Sequence, residues 1–330
     1  IATKQGQHGP VIAGVSTVNS TGCMKIPSGP TEHRGGRGRG IIGSGQNIPS
    51  GGVNTMNLVT IATTGNAIDF GDMTVGAAYR GGLASSTRGI FVNSQGDLTF
   101  DYVTISSQGG ANDFGEAPTD HMGGATFNSS TRGFRAGGSD PSLSTPHTSN
   151  IMGLIIASTG SFFDAGDLTI VGTYQNGASS PTRGIIFGGT TPSAAYNNID
   201  VFTMATGGNA IKFGELAIAR KYADTASNTI RALAAGGVDD SDSTTNSIEF
   251  VTIATEGNAQ DFGDLHSATS TGKSGSVSSA TRGIFSGFYP AQTARMDFVT
   301  IMSAGNAQDF GDMTATWYYH GGCSDSNGGI

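Results

Sequence analysis

The chain has 330 residues, a formal net charge of −8 and only 13% charged residues, alongside 53 Gly and 17 Phe. An acidic surface repels phosphate backbones, which argues against nucleic acid as a partner, and no apolar run approaches the roughly 20 residues of a membrane-spanning helix. The 36% apolar share argues for a packed core rather than disordered low complexity, and the glycine content suits many tight turns between short strands.

In chain order, the first residue is Ile1 rather than Met, with no secretory leader behind it, so the sequence reads as a processed product or a piece of a longer polypeptide. The stretch 15–38 is the least regular; Lys25, His33, Arg34 and Arg37 make it a local basic patch, read as a solvated loop or as a contact with an acidic neighbour. From Arg39 onward two phrases alternate. One runs Val59-Thr60-Ile61 through Thr64-Gly65-Asn66 to Asp69-Phe70-Gly71-Asp72 and returns from Val103, Leu154, Phe202, Val251 and Val299. The other, Thr87-Arg88-Gly89-Ile90, returns at Arg132, Arg183 and Arg282 and in decayed form at Arg39 and Arg231.

Spacing turns these phrases into a fold. The first apolar residue and the Phe position are 11 apart in all six copies, and the Phe position and the next Arg position are 18 apart in five of six (the exception is 20). From Arg to the next copy the distance varies between 15 and 22, so the period is 44 to 51, the size of a propeller blade. Each unit reads as four strands. The first covers 79–84, small and glycine-rich, and the second covers 88–92. An elastic loop leads to the third, 58–63 in the preceding unit. A Gly-Asn turn then leads to the fourth, 67–73. The segment 214–223 is rich in helix formers, but it aligns with 71–80 and is therefore read as the end of a fourth strand passing into a first. Ile1-Ala2-Thr3 matches a third strand and Gly328-Gly329-Ile330 a second, so the expectation is a single all-β propeller over 1–330. It would have about seven four-stranded blades, the closing one split between the termini, with 14 to 21 residues of the split unit lying beyond the ends.

The pattern resembles the kelch repeat. The likeness rests on the double glycines Gly137-Gly138, Gly188-Gly189 and Gly236-Gly237, on the aromatic of the fourth strand, where Phe stands in place of the usual Trp, and on the period. The Phe-Gly-Asp and Gly-Asn-Ala phrases look more specifically like the kelch-like repeats of virion structural and tail-fibre proteins of marine bacteriophages, including cyanophages. That resemblance implies a non-enzymatic virion protein outside the cell. It would bind a host surface glycan or protein, or neighbouring virion subunits, and could form symmetric oligomers.

The candidate chemistry is weak. Asp-Phe-Gly occurs four times without a phosphate loop, so it is structural and not the magnesium-binding phrase of a kinase. The repeated pairs Asp69/Asp72, Asp261/Asp264 and Asp309/Asp312 are expected to cap turns and to meet Arg88, Arg132, Arg183, Arg231 and Arg282. The histidines share no metal-ligand spacing, and no cofactor is expected. Tyr318, Tyr319, His320 and Cys323 invite comparison with galactose-oxidase-type propeller enzymes, which keeps a secreted enzyme as an alternative beside a bacterial surface adhesin; the plainer reading has Tyr318 and Cys323 filling an inner strand. Cys23 and Cys323 both fall by the closing blade, where a disulfide would staple it.

Function is expected on the loops between second and third strands, which vary while the other turns are nearly constant. They run 43–56, 93–101, 137–153, 188–200, 236–249 and 287–297. They offer Asp140, His147, Tyr196, Asp239, Asp240, Asp242, Phe288 and Tyr289 as a ligand surface in which aromatics with Asp and Asn suit a glycan.

Overall fold

The computed structural model describes residues 17–18, 24–25, 38–47, 51–92, 98–119, 122–140, 144, 146–160, 162–269, 275–290 and 293–326. Within them the repeat folds as a β-propeller of six four-stranded antiparallel blades. Blade one combines Gly321–Ser324 from the far end of the chain with Arg39–Asn47, Gly51–Thr60 and Ile68–Asp72. Blade two is Gly81–Ala84, Arg88–Val92, Thr99–Thr104 and Asn112–Glu116. Blade three is Ala125–Asn128, Arg132–Ala136, Thr148–Ile155 and Phe162–Gly172. Blade four is Asn176–Ser179, Arg183–Thr190, Ala195–Thr203 and Ile211–Glu215. Blade five is Asp224–Ser227, Arg231–Ala235, Thr245–Thr252 and Gln260–Thr269. Blade six is Val277–Ser278, Arg282–Ser286, Arg295–Thr300 and Gln308–Asp312.

The blade count corrects the sequence expectation of about seven. Each phrase recurs six times, twice in decayed form for the Arg phrase, and there are six blades; the ring closes where Cys323 pairs with Ile41 and Ser324 with Gly40, so first strand and second strand come from opposite ends of the chain. The fragments that suggested a seventh blade, 1–3 and 328–330, lie outside the described residues, as does most of the basic patch. The segment 214–223 is not helical: the strand ends at Glu215 and the rest is the connection into blade five.

The invariant residues are inter-blade ties. Each Phe of the Phe-Gly-Asp phrase (Ala165 in blade three) accepts, on its carbonyl, the N–H of the turn glycine of the next blade. The six bonds run Gly65 to Phe310, Gly109 to Phe70, Gly160 to Phe114, Gly208 to Ala165, Gly257 to Phe213 and Gly305 to Phe262, at 2.7–3.0 Å. The glycine after the Phe lets the two backbones touch: at Gly166 a Cβ would sit 2.2 Å from the carbonyl oxygen of Gly208. The Asn of the Gly-Asn turn adds a second tie, because Asn66, Asn209, Asn258 and Asn306 each accept the N–H of the acidic residue two after the Phe position (Asp312, Asp167, Glu215 and Asp264) in the preceding blade, at 3.1 Å.

The repeated arginines do not pair with the repeated aspartates. Each sends Nη1 to backbone carbonyls in the turn of the next blade: Arg39 to Ile105 and Ser106, Arg88 to Ile156 and Ala157, Arg132 to Met204 and Ala205, Arg183 to Ile253 and Ala254, Arg231 to Ile301, and Arg282 to Ile61. A guanidinium carries five donors and tolerates partial burial, and four of these groups also lie over an aromatic ring, Arg231 at 4.3 Å from the Phe250 centroid. The first Asp of the phrase turns instead to its own backbone: Asp69, Asp113 and Asp164 accept the N–H two residues on.

Between the blades lie six apolar wedges, each drawing on two neighbours. The wedge between blades three and four, for example, stacks Phe127 on Phe134 at 5.4 Å, with Phe202 5.1 Å from Phe134.

Candidate functional site

First strands surround the axis, and they come close because they are glycine-rich: a Cβ on Gly82 would stand 1.9 Å from the carbonyl oxygen of Gly322. What remains is a narrow polar cavity of ≈ 40 Å³, lined by side chains that include Thr126, Asn176, Thr225 and Ser276, with room for a few waters. Beside it Asp224 is 1% exposed. Its Oδ1 receives the Thr225 N–H at 2.8 Å, and Ser276 lies against the carboxyl, but Oδ2 meets no donor in hydrogen-bonding geometry. Burial outweighs these contacts and pushes the carboxyl well above the usual range.

The face that carries the variable loops is fixed by backbone bridges. In four blades the connection entering the first strand is pinned to the end of the second strand or to the loop after it, through Gln46 with Tyr318, Met122 with Ser139, Thr173 with Thr190 and Lys221 with Val238. Immediately after these bridges come Tyr319, Gly123, Tyr174 and Tyr222; Tyr79 holds the same position in blade two. All four tyrosines have left-handed backbone, with φ of +62° at Tyr79, +58° at Tyr174, +61° at Tyr222 and +58° at Tyr319, a conformation costing a non-glycine residue on the order of 1–2 kcal/mol. Their amides link around the axis: Tyr79 N–H to Tyr319 carbonyl at 2.8 Å, Tyr174 N–H to Gly123 carbonyl at 2.8 Å, and Tyr222 N–H to Tyr174 carbonyl at 3.3 Å.

The four rings converge over the mouth of the channel. Tyr79 stacks on Tyr319 at 4.4 Å and Tyr174 lies 4.2 Å from Tyr222; the two pairs approach at 6.1 Å (Tyr79–Tyr174) and 6.3 Å (Tyr222–Tyr319). Hydroxyls bond within each pair. Burial first, then the neighbouring phenols, raises the pKa of Tyr79, Tyr222 and Tyr319, so these groups stay protonated donors. Gly123 is what lets the quartet close, because a Cβ there would meet Tyr174 Cδ1 at 2.6 Å. All four tyrosines remain half-exposed.

The residues expected from the sequence divide. Tyr289 joins the aromatic cluster, 5.1 Å from Tyr318 and 6.3 Å from Tyr319. Asp242, 83% exposed, pairs with Lys221 at 3.3 Å, and Lys221 Nζ lies 6.0 Å from the Tyr222 ring, so both sit on the rim. The others organise the loops. Asp239 accepts the Ser241 and Ser243 N–H groups, and Asp240 accepts the Ala195 N–H of blade four. Asp140 is buried, its N–H bonded to the Pro146 carbonyl. His147 bridges to Ser139 and is lowered in pKa by burial. Tyr196 packs over Gly172 and Gly189, and Phe288 is in the core.

Near the closing blade Tyr318 and Cys323 are buried; Cys323 lies in the first strand of blade one, as expected, while Tyr318 lies three residues before it. His320 is also buried and engaged: its Nδ1 accepts the Gly275 N–H at 2.8 Å, and burial lowers its pKa to about 3. Cys23 lies outside the described residues. Sequence reasoning missed the quartet although a signal existed. Tyr79, Tyr174 and Tyr222 each stand nine before the repeated Arg (88 − 79, 183 − 174, 231 − 222), and Tyr319 stands nine before Gly328, which holds the Arg position.

No family model and no curated protein matches the chain. Among solved structures it is similar to the structure of YjhT, at 8% identity and a TM-score of 0.63 over 76% of this chain and 88% of that one. That likeness shows the propeller fold alone.

Proposed function

We propose that this chain is a non-enzymatic binding module of kelch-like type, a virion structural or tail-fibre protein that works outside the cell. It engages a host surface or neighbouring virion subunits through the face carrying the loops between second and third strands. The observation that carries this reading is the half-exposed aromatic cluster at the centre of that face, held in strained backbone while the opposite ends of the blades are committed to inter-blade ties. Two further points support it: the resemblance of the repeated phrases to those of marine phage virion proteins, and the loop-to-loop ties such as Asp240 to Ala195, which make the face one rigid surface.

The test is whole-cell binding by the purified chain, beside a variant with loops 236–249 and 287–297 shortened. Binding abolished by shortening establishes the face. Binding that survives shortening overturns its assignment to these loops, and a folded chain that binds neither cells nor particle subunits overturns the module itself.

A further inference from the structure

Resting on that reading, we propose that the tyrosine quartet over the axis is a carbohydrate subsite, on which the end of a neutral glycan stacks, with Asp242 and Tyr289 on its rim.

The argument begins from what packing alone requires. At the position entering the first strand, blade three has Gly123 with φ of +75°, so the backbone turn is made there without a side chain. Four other blades make the same turn with Tyr, against the left-handed preference of glycine, and leave the rings partly in water. An aromatic ring retained in strained backbone and only partly buried adds little to the fold and is characteristic of a site.

The chemistry of the patch then selects the ligand. Four phenols with centroids 4.2 to 6.3 Å from their neighbours stack in two pairs, a compact aromatic floor that presents ring edges and the outer face of each pair. Such a floor packs against the C–H face of a sugar ring, while protonated Tyr hydroxyls donate to and accept from sugar hydroxyls. Tyrosine offers this mixed contact with few rotatable bonds to freeze. On the rim, Asp242 is 83% exposed and tied only at one edge to Lys221; its carboxylate has acceptor capacity to spare for adjacent hydroxyls. The net charge of −8 and the acidic residues Asp239, Asp240 and Asp242 disfavour phosphorylated, sulfated or sialylated ligands.

The test uses the full chain and saturation-transfer NMR with methyl glycosides of glucose, galactose and mannose, with sialyllactose as the charged comparison. It is run beside whole-cell binding on Tyr79→Gly, Tyr222→Gly and Tyr222→Phe. Glycine suits the native φ at both positions, as Gly123 does in blade three, so the variants keep the fold, checked by thermal melting. The expected result is transfer from at least one neutral glycoside, with affinity about tenfold or more weaker in each Tyr→Gly variant and a smaller loss in Tyr222→Phe, which retains the ring. Cell binding with glycoside contacts unchanged in the Tyr→Gly variants overturns the subsite and leaves the module reading standing. Transfer to sialyllactose alone overturns the neutral-glycan assignment. Self-association abolished by Tyr→Gly without any glycoside contact assigns the patch to a second copy of the chain and overturns the proposal. Absence of glycoside binding by folded protein overturns the subsite, and only the further absence of binding to cells and to particle subunits overturns the module.

Discussion

Asp224 offers a quantitative test of the interior. Its carboxyl is 1% exposed and raised well above the ordinary range by burial. The proton it holds in the folded state must be taken up from water where the unfolded chain, with a carboxyl pKa of about 3.9, is ionised. Holding that proton costs about 1.36 kcal/mol for each pH unit above about 3.9 until the folded carboxyl itself ionises. The sign follows. A raised folded pKa contributes stability fully present below the unfolded pKa of about 3.9 and lost as pH rises toward the folded value. Asp224→Asn keeps the shape, removes the titration, and has a precedent at the same register in blade four, where Asn176 donates to the Ala223 carbonyl. The variant and the parent should therefore have similar urea midpoints near pH 4. The variant should gain with rising pH, by about 1.36 kcal/mol per pH unit until the folded carboxyl itself ionises. Unfolding curves at pH 4, 5.5, 7 and 8.5 measure this. A difference that does not change with pH, or a parent that gains on the variant as pH rises, refutes the account of a buried neutral carboxyl.

Other outcomes follow from the same contacts. Gly82→Ala places a methyl 1.9 Å from the Gly322 carbonyl oxygen and should destabilise by about 3 kcal/mol, read by thermal melting, because both neighbours are backbone. Glu249→Ala leaves Arg220 buried without the carboxylate it meets at 2.8 Å and should cost about 3–5 kcal/mol in denaturant unfolding. His320 is held neutral with a pKa of about 3, so its contribution is present above the unfolded pKa of about 6.5 and lost as pH falls toward 3. His320→Gln should flatten the acid limb of the stability profile over that window. Arg132→Ala removes one half-buried clasp to the Met204 and Ala205 carbonyls and should cost about 1 kcal/mol, a small shift in the same melting assay.

The architecture was legible because a ring makes every blade solve the same contact problem. The Phe-Gly-Asp glycine, the turn Asn and the Thr-Arg-Gly arginine recur at fixed spacing since each faces an identical neighbour, and strand two of blade two falls on 88–92 as read from the repeat. Two expectations failed for physical reasons. Fragments at 1–3 and 328–330 inflated the blade count, although the longer copies numbered six; the edge that closes the ring is Gly321–Ser324, whose only mark in sequence is small residues. Pairing Arg with Asp followed charge complementarity, whereas backbone carbonyls, which leave no trace in a sequence, were the acceptors.

The site was harder to read for the converse reason. Loop residues drew attention because they vary, yet Asp239, Asp240, Tyr196 and Phe288 are spent on shaping the loops and the core beneath them. The aromatic cluster sits where the backbone is constant and the side chain is not dictated by packing: nine residues before the repeated Arg position, the described residues Tyr79, Gly123, Tyr174, Tyr222 and Tyr319 share left-handed backbone. A position with one backbone conformation that takes either Tyr or Gly is one at which the fold has been satisfied by φ and ψ alone. What a tyrosine adds there must be accounted for by something other than blade packing, and the cluster's half-exposure on the loop face points that account toward a ligand.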